Sequence, residues 1–97
     1  MAFVQIIEFR TDNIDEMRKI GAEWEASAAT GRTARRRLLC QDRDNPGRYF
    51  NIVFFDSFDS AMQNSELPAT QKFAERLAAS TQGGRTFYNL DVIEDKE

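Results

Sequence analysis

The chain has 97 residues, with 13 lysine and arginine residues against 16 aspartate and glutamate residues, and a formal net charge of −3. Proteins that bind nucleic acid usually carry a surplus of cations to neutralise phosphates, so this balance argues against a nucleic-acid partner. No apolar run approaches the roughly 20 residues of a membrane span, and no basic stretch followed by a long apolar one opens the sequence. We therefore expect neither a membrane partner nor a signal peptide.

The first part of the sequence predicts a strand followed by a helix. Residues 2–10, AFVQIIEFR, are rich in β-branched and aromatic residues, which is typical of a strand buried on both faces. Asn13 with Glu16 three residues later fits a capping box at a helix start. Apolar residues then recur at helical spacing as far as Ala28, and Gly31 supplies a stop.

The middle of the chain predicts a β-hairpin. Residues 33–41 and 48–57 have strand composition, and the intervening DRDNPG, residues 42–47, is typical of a turn. Three consecutive arginines, Arg35 to Arg37, lie on the first of these strands. Successive side chains of a strand point to opposite faces, so these arginines cannot act as one basic patch.

The last part of the chain predicts a broken helix and a fourth strand. Ser57 can cap a first helical piece, and Pro68 forces a break and restarts the helix. Residues 85–95 are predicted to form the final strand. The charged tail from about residue 94 is expected to be frayed.

The element order is β-α-β-β-α-β, which predicts a single α+β domain over residues 1–97 with a ferredoxin-like fold and a four-stranded antiparallel sheet. Right-handed crossovers place the first and third strands at the sheet centre, and two helices cover only one face. Alternation divides the strand residues into a nearly all-apolar set and a set that mixes large apolar groups with Gln5, Asn51, Asn89 and two arginines. Neither set is typical of a solvent-facing sheet. We therefore expect a second copy to cover the helix-free face, giving a homodimer.

Histidine is absent from the chain, which excludes Ser-His-Asp and Cys-His nucleophiles, His-ligated zinc and His-ligated haem iron. Cys40, the single cysteine, is interpreted as an inert core thiol, and the lack of a disulfide framework suits a reducing cytoplasm.

Four polar or aromatic residues are candidates for a ligand site. Trp24 ends the apolar stripe of the first helix, where it either packs in the core or serves as a stacking platform. Asn51 lies among Phe, Ile and Val on the third strand, so its amide needs a neighbour such as Gln5, a water or a ligand. Asn64 and Thr70 flank the helix break, where capping of the helix ends is the alternative to ligand binding.

An RNA-recognition motif has the same element order. Residues 48–55, RYFNIVFF, match its third-strand signature at Arg48, Phe50, Val53 and Phe55 but not at the remaining positions that define it. Since the net charge is also acidic, the sequence disfavours RNA binding.

The element order, the hairpin DRDNPGRYFNIVFFDSFDSAM and above all the segment AMQNSELPATQKFAERL resemble the antibiotic-biosynthesis-monooxygenase (ABM) group of dimeric α+β barrel proteins. The chain is similar in particular to small bacterial members of unknown function that share an N-S-x-L-P-x-T helix break. The resemblance implies a homodimer whose two sheets close into a barrel, with a ligand cleft between each sheet and its helices. Many members carry a histidine on the second helix, where this chain reads AMQNS, so the departure removes haem degradation of the His-ligated kind.

Characterised ABM members oxidise aromatic polyketides with O₂ and no cofactor, or degrade haem, using combinations of Asn, Trp, Tyr, Arg and His. The resemblance implies ligand-binding roles for Trp24, Arg37, Tyr49 and Asn51, with Tyr88 as the alternative tyrosine. Asn64, at the helix break, is a further expected ligand-binding residue. We expect a monooxygenase without metal or cofactor that acts on a small aromatic or polyketide-like compound. The alternative, from a different class, is a barrel that binds a small molecule or simply dimerises, with no turnover.

Overall fold

The computed structural model describes residues 2–28, 31 and 33–97. The elements follow the chain in the order β1 (Phe3–Arg10), α1 (Ile14–Ser27), β2 (Arg36–Gln41), β3 (Arg48–Phe55), α2 (Phe58–Glu66), α3 (Pro68–Ser80) and β4 (Thr86–Asp91). All strand pairs are antiparallel, in the sheet order β2-β3-β1-β4. The predicted ferredoxin-like topology, with the first and third strands at the centre, is confirmed. Within the described ranges, no helix is long and apolar enough to cross a bilayer.

Local sequence signals begin each helix. The side chain of Asn13 accepts a hydrogen bond from the N–H of Glu16 (3.3 Å), and the Ser57 hydroxyl accepts one from the N–H of Ser60 (3.0 Å). Pro68 is the first residue of α3, a position where its missing N–H needs no partner. The predicted caps and the predicted helix break are therefore confirmed.

The first helix ends earlier than predicted. It ends at Ser27, before the expected stop at Gly31, because Ala28 already has non-helical backbone angles. The N–H of Ala28 donates to the carbonyl of Trp24 (2.8 Å), which closes the last turn.

Two strands are shorter than predicted. β2 begins at Arg36 rather than at residue 33, and the hydroxyl of Thr33 donates to the backbone carbonyl of Ser60 in α2. β4 ends at Asp91, and residues 92–97 lie outside the helices and strands.

The helices pack on the face of the sheet that carries the mixed set of side chains. On this face the sheet contributes seven buried residues: Phe3, Ile7, Phe9, Tyr49, Asn51, Val53 and Phe55. Helix residues such as Met17, Ile20 and Leu77 complete the core beneath them. The core is therefore built on the mixed set of strand residues, the set that contains polar as well as large apolar groups.

The opposite surface, called here the helix-free face, carries the nearly all-apolar set. Its apolar and aromatic residues are Val4, Ile6, Leu38, Cys40, Phe50, Ile52, Phe54, Tyr88 and Leu90, and the same face carries the charged residues Glu8, Arg36 and Arg48 toward its ends. Ile52 lies at its centre, paired with Ile6 on one side and Leu38 on the other. No helix of the described part packs on this face, and Leu90 on the edge strand is 46% exposed.

The three consecutive arginines separate as predicted. Arg35 pairs with Asp56 through its Nε (2.9 Å), and the Arg36 guanidinium lies 5.7 Å from the centre of the Phe54 ring on the helix-free face. Arg37 points to the other side, toward the helices. Arg36 and Arg37 therefore lie on opposite faces of the sheet, and Arg35 and Arg37 are each paired with a different carboxylate.

A network of charges closes one end of the helix-free face. Arg48 donates to Glu8 through Nε (2.8 Å) and to Asp42 through Nη1 (3.0 Å), and the Tyr88 hydroxyl donates to the other oxygen of Glu8 (2.8 Å). The hydrogen bonds from Arg48 and Tyr88 lower the pKa of Glu8 below its ordinary value of 4.5. The hydrogen bond from the backbone N–H of Asp44 is the main cause that lowers the pKa of Asp42 below its ordinary value of 3.8, and the hydrogen bond from the Arg48 side chain is the second.

This network is expected to make the protein sensitive to acid. The pKa values of Glu8 and Asp42 are lower in the folded chain than in the unfolded chain. The network therefore stabilises the fold at pH values above the unfolded-state pKa values, and this stabilisation is lost as the pH falls through the folded-state pKa values. Urea unfolding of the wild type and of Arg48→Gln, measured between pH 6 and pH 3, should show a difference in unfolding free energy that narrows toward pH 3. A difference that stays constant over this range would show that Arg48 acts through packing alone.

Candidate functional site

A cavity of about 180 Å³ lies between the sheet and the helices. Its walls come from β1, β2, β3 and α1 on one side, from α2 and α3 above, and from the start of β4. The lining residues are Gln5, Ile7, Trp24, Arg37, Asn51, Val53, Phe55, Asn64, Ser65, Thr70, Gln71, Phe73, Ala74, Leu77, Arg85 and Phe87. Most of the surface is apolar, so a polar group of a ligand would be read by a few fixed side chains.

Trp24 forms a fixed wall of the cavity. Its Nε1–H donates to the Thr70 hydroxyl (2.9 Å), and its ring lies 6.0 Å from the Phe73 ring, centre to centre. The residue is only 7% exposed. The sequence left core packing and ligand contact as alternatives for Trp24. The ring is buried against Phe73 and also lines the cavity, so its position allows both.

Arg37 and Asn51 are joined at the wall formed by β2 and β3. The Nη1 of Arg37 donates to the Oδ1 of Asn51 (3.1 Å), and its Nη2 donates to the Glu25 carboxylate at the surface of α1 (3.1 Å). Asn51 is 3% exposed. The partner that the buried Asn51 amide needs is therefore the arginine of the neighbouring strand and not Gln5, whose amide donates to Asn89.

Gly21 makes room for the Arg37 guanidinium. A Cβ atom at this buried position of α1 would lie 2.7 Å from Nη2 and 3.1 Å from Cζ of Arg37. Glycine in a helix interior costs about 1 kcal/mol relative to alanine. The close approach of the guanidinium gives a physical reason for glycine at this position.

Gly21→Ala is expected to displace Arg37 while changing the unfolding free energy by less than about 1 kcal/mol, because better helix propensity offsets the lost contacts. NMR of the arginine Nε–H groups should show a shifted Arg37 signal, and urea unfolding should show a nearly unchanged midpoint. Ala22→Gly, at the exposed neighbouring position, measures the propensity difference without touching Arg37. An unshifted Arg37 signal in Gly21→Ala would contradict the proposed close approach.

Two buried polar atoms at the cavity have no partner in the part of the chain that the structure describes: the Oδ1 of Asn64 and the Nε of Arg37. Asn64 is 5% exposed and lies on α2. One atom is an acceptor and the other a donor, and each unsatisfied group costs about 1–3 kcal/mol.

The structure brings together four of the five residues predicted for the site. Trp24, Arg37, Asn51 and Asn64 line the same cavity. Tyr49 does not line it: its ring stacks on Phe9 in the core, and its hydroxyl accepts a hydrogen bond from Gln41. We therefore leave Tyr49 out of the site.

Tyr88, the alternative tyrosine, is also outside the cavity, because it lies on the helix-free face and donates to Glu8. The helix-capping interpretation does not hold for Thr70, because α3 begins without a side-chain cap and Thr70 instead accepts the Trp24 N–H.

Sequence reasoning missed Arg85 and Phe87 at the site. Arg85 directly precedes β4, and Phe87 is the second residue of this strand. Alternation along the strand places both on the same face as Asn89 and Gln5. This spacing was visible in the sequence, whereas the position of α3 beside them was not. Across the described ranges, no group of three or more His, Cys, Asp or Glu residues is arranged to hold a metal ion.

Comparisons with known proteins reveal relatives in structure only. No protein-family model matches the sequence, and no curated protein sequence matches it. A candidate antibiotic biosynthesis monooxygenase from Caulobacter crescentus superposes with a TM-score of 0.81 at 14% identity, covering 96% of this chain and 91% of that one. A conserved protein from Methanosarcina mazei gives 0.80 at 9% identity, covering 93% and 91%.

SnoaB, a cofactor-independent oxygenase from Streptomyces nogalater, superposes with a TM-score of 0.79 at 18% identity, covering 97% of this chain and 95% of the SnoaB chain. At such identities a structural likeness establishes the fold and leaves the activity open. The fold over almost the whole chain is the ferredoxin-like fold of the antibiotic biosynthesis monooxygenase structures.

Proposed function

We propose that the protein is a homodimeric, cofactor-independent monooxygenase that oxidises a small aromatic or polyketide-like compound in the cavity. The observation that carries the proposal is that two residues lining a largely apolar cavity, Asn64 and Arg37, each keep a buried polar atom without a partner among the described residues, Oδ1 and Nε respectively. Before it loses its proton, the hydroxyl of a phenol or enol would donate to the Asn64 amide oxygen and accept from Arg37; the anion would keep only the hydrogen bond from Arg37. The fold is shared with SnoaB, a cofactor-independent oxygenase, which supports oxygen chemistry for such a ligand.

The substrate itself supplies the electrons in this proposal. The substrate carries an activated CH₂ group, and its deprotonated phenol or enol form reduces O₂. One oxygen atom converts this CH₂ group into a carbonyl and the second leaves as water, so that CH₂ and O₂ give C=O and H₂O. Among the described residues, those that line the cavity include two arginines, Arg37 and Arg85, and no carboxylate. A nearby positive charge lowers the pKa of the bound hydroxyl and holds the anion that reacts.

The release of the substrate proton must be assigned to solvent. The chain has no histidine, and the described lining residues include no carboxylate that could act as a base. Phe87, at the β4 side of the cavity, is 47% exposed, which supports an opening to water at that side. The proposed roles are anion binding for Arg37, orientation for Asn51 and Asn64, and ring stacking for Trp24.

The homodimer is the second part of the proposal. A helix-free face of nine mainly apolar side chains is larger than the scattered apolar residues of a typical monomer surface. Covering it with the same face of a second copy would bury these side chains in an isologous contact. Light scattering at micromolar concentration should then give about twice 11.2 kDa.

We also propose a cytoplasmic location. Cys40 is the single cysteine, and proteins of a reducing compartment function without disulfides.

A non-catalytic binding protein is the alternative function. The specific observation in its favour is that neither histidine nor carboxylate lines the cavity among the described residues. Such a protein would bind the same aromatic compounds and release them unchanged.

Oxygen uptake separates the two functions. A hydroxyanthrone and smaller enolisable phenols would be offered in an oxygen electrode, with the uncatalysed oxidation in buffer subtracted. A monooxygenase should accelerate uptake, and Asn64→Leu should remove the acceleration while keeping or raising the unfolding free energy, since it deletes an unsatisfied buried acceptor. Binding without accelerated uptake would leave the alternative function, and the absence of both would reject the site.

A further inference from the structure

The charge of the cavity differs from the charge of the protein. The chain has a net charge of −3, yet Arg37 and Arg85 are the charged residues that line the cavity among those described. Arg37 is compensated by the Glu25 carboxylate at 3.1 Å. Arg85 takes part in no ion pair within the described ranges. The uncompensated positive charge of the cavity therefore belongs to Arg85.

Arg85 is held in place without a carboxylate. Its Nη1 donates to the backbone carbonyl of Ala74 on α3 (3.3 Å), and its guanidinium lies 5.4 Å from the centre of the Phe87 ring. Ala74 and Phe87 themselves line the cavity. The guanidinium is thus anchored at the rim, with donors left over for a ligand, because a guanidinium carries five N–H groups.

Arg85 and Arg37 mark opposite ends of the cavity. Arg37 lies on β2 and Arg85 directly precedes β4, and these strands are the two edges of the sheet. Three strand spacings separate the edges, roughly 14 Å between backbones. A ligand group bound by Arg85 is therefore distinct from the hydroxyl that Arg37 and Asn64 would bind.

The cavity volume limits the size of the enclosed part of the ligand. A volume of about 180 Å³ is close to the roughly 150 Å³ of an engineered apolar cavity that binds benzene. The enclosed space therefore fits about one aromatic ring, with further groups placed at the open β4 side.

From this charge, position and volume we propose that the cavity selects a monocyclic aromatic carboxylate whose carboxylate binds Arg85. This inference rests on the proposed small-molecule site and names its ligand class; the substrate of the proposed oxidation would be a carboxylate of this class that also carries an activated CH₂ group. The charge of Arg85 would favour an anion over a neutral compound of the same shape, since hydrogen bonds between ions are stronger than those between neutral groups.

The test compares ligands that differ only in charge. Benzoate and para-hydroxybenzoate are titrated at pH 7 against benzamide and para-hydroxybenzamide, with binding followed by the fluorescence of Trp24, the single tryptophan, and by calorimetry. The carboxylates should bind at least about tenfold more tightly than the amides, and added salt should reduce this preference. Arg85→Gln should reduce the preference to less than about threefold without weakening the amides.

Arg43→Gln, at an exposed position of the β2–β3 turn, is the matched control and should keep the wild-type preference. Equal binding of amides and carboxylates by the wild type, or a preference that survives Arg85→Gln, would overturn the role of Arg85 and leave the small-molecule site intact. Failure of all four compounds to bind at millimolar concentration would overturn the ligand class, whereas the oxygen-uptake measurement tests the proposed function separately.

Discussion

Ile52→Lys is expected to dissociate the proposed homodimer into monomers. Ile52, on β3, lies at the centre of the helix-free face. Its neighbours on the adjacent strands are Ile6 on β1 and Leu38 on β2. In a homodimer built on this face, the substitution would place a charge from each copy in an apolar contact. Central interface residues commonly contribute 2–4 kcal/mol, so the dimer dissociation constant should rise by roughly 30-fold to 1000-fold.

Sedimentation over a range of protein concentrations measures this change directly. Wild type should sediment at about twice 11.2 kDa, and Ile52→Lys at about half that mass at the same concentration. Ala79→Lys introduces the same charge at an exposed position of α3, on the other side of the molecule, and should leave the dimer unchanged. A folded wild-type monomer, or a dimer that survives Ile52→Lys, would reject dimerisation through this face.

Trp24→Ala is expected to lower the unfolding free energy by about 3–5 kcal/mol. The indole is almost completely buried, contacts Phe73 and donates its N–H to Thr70. Truncation removes this packing and joins the vacated space to the existing cavity, while the unfolding free energy of a domain this small is typically only 5–15 kcal/mol. Urea unfolding should therefore show a large fall in the midpoint.

Trp24→Phe separates packing from hydrogen bonding at the same position. It keeps most of the apolar contact and removes the N–H donor to Thr70, so its cost should be near the 0.5–1.5 kcal/mol of a single hydrogen bond plus a small packing loss. Binding of aromatic ligands should weaken in both variants if the ring is a stacking wall. A cost below about 1 kcal/mol for Trp24→Ala would show that the ring is not packed as described.

Local sequence determined most of the secondary structure and the topology. Asn13, Ser57 and Pro68 begin the three helices because each satisfies or omits the N–H groups that a helix start leaves unpaired. Right-handed connections then leave one strand order, with β1 and β3 at the centre. Element ends were less predictable: α1 stops at Ser27 because of the backbone angles at Ala28, which no residue preference there specifies.

The sequence by itself could not decide which sheet face carries the helices, because both alternating sets of strand residues contain large apolar groups. The tertiary structure places Asn51 and Arg37 beneath the helices, where they bond to each other and Arg37 reaches Glu25. It also separates Tyr49 from Asn51, two residues apart on one face, since the first packs on Phe9 and the second borders the cavity.

The site itself depends on contacts between distant parts of the chain. The Trp24–Thr70 hydrogen bond, the space that Gly21 leaves for Arg37, and the position of Arg85 beside Ala74 each join elements far apart in sequence. Residue type and alternation therefore determined which side chains could take part in a site. Only the packing of α1 and α3 on the sheet decided which of them meet, because such contacts depend on long-range geometry that no local pattern encodes.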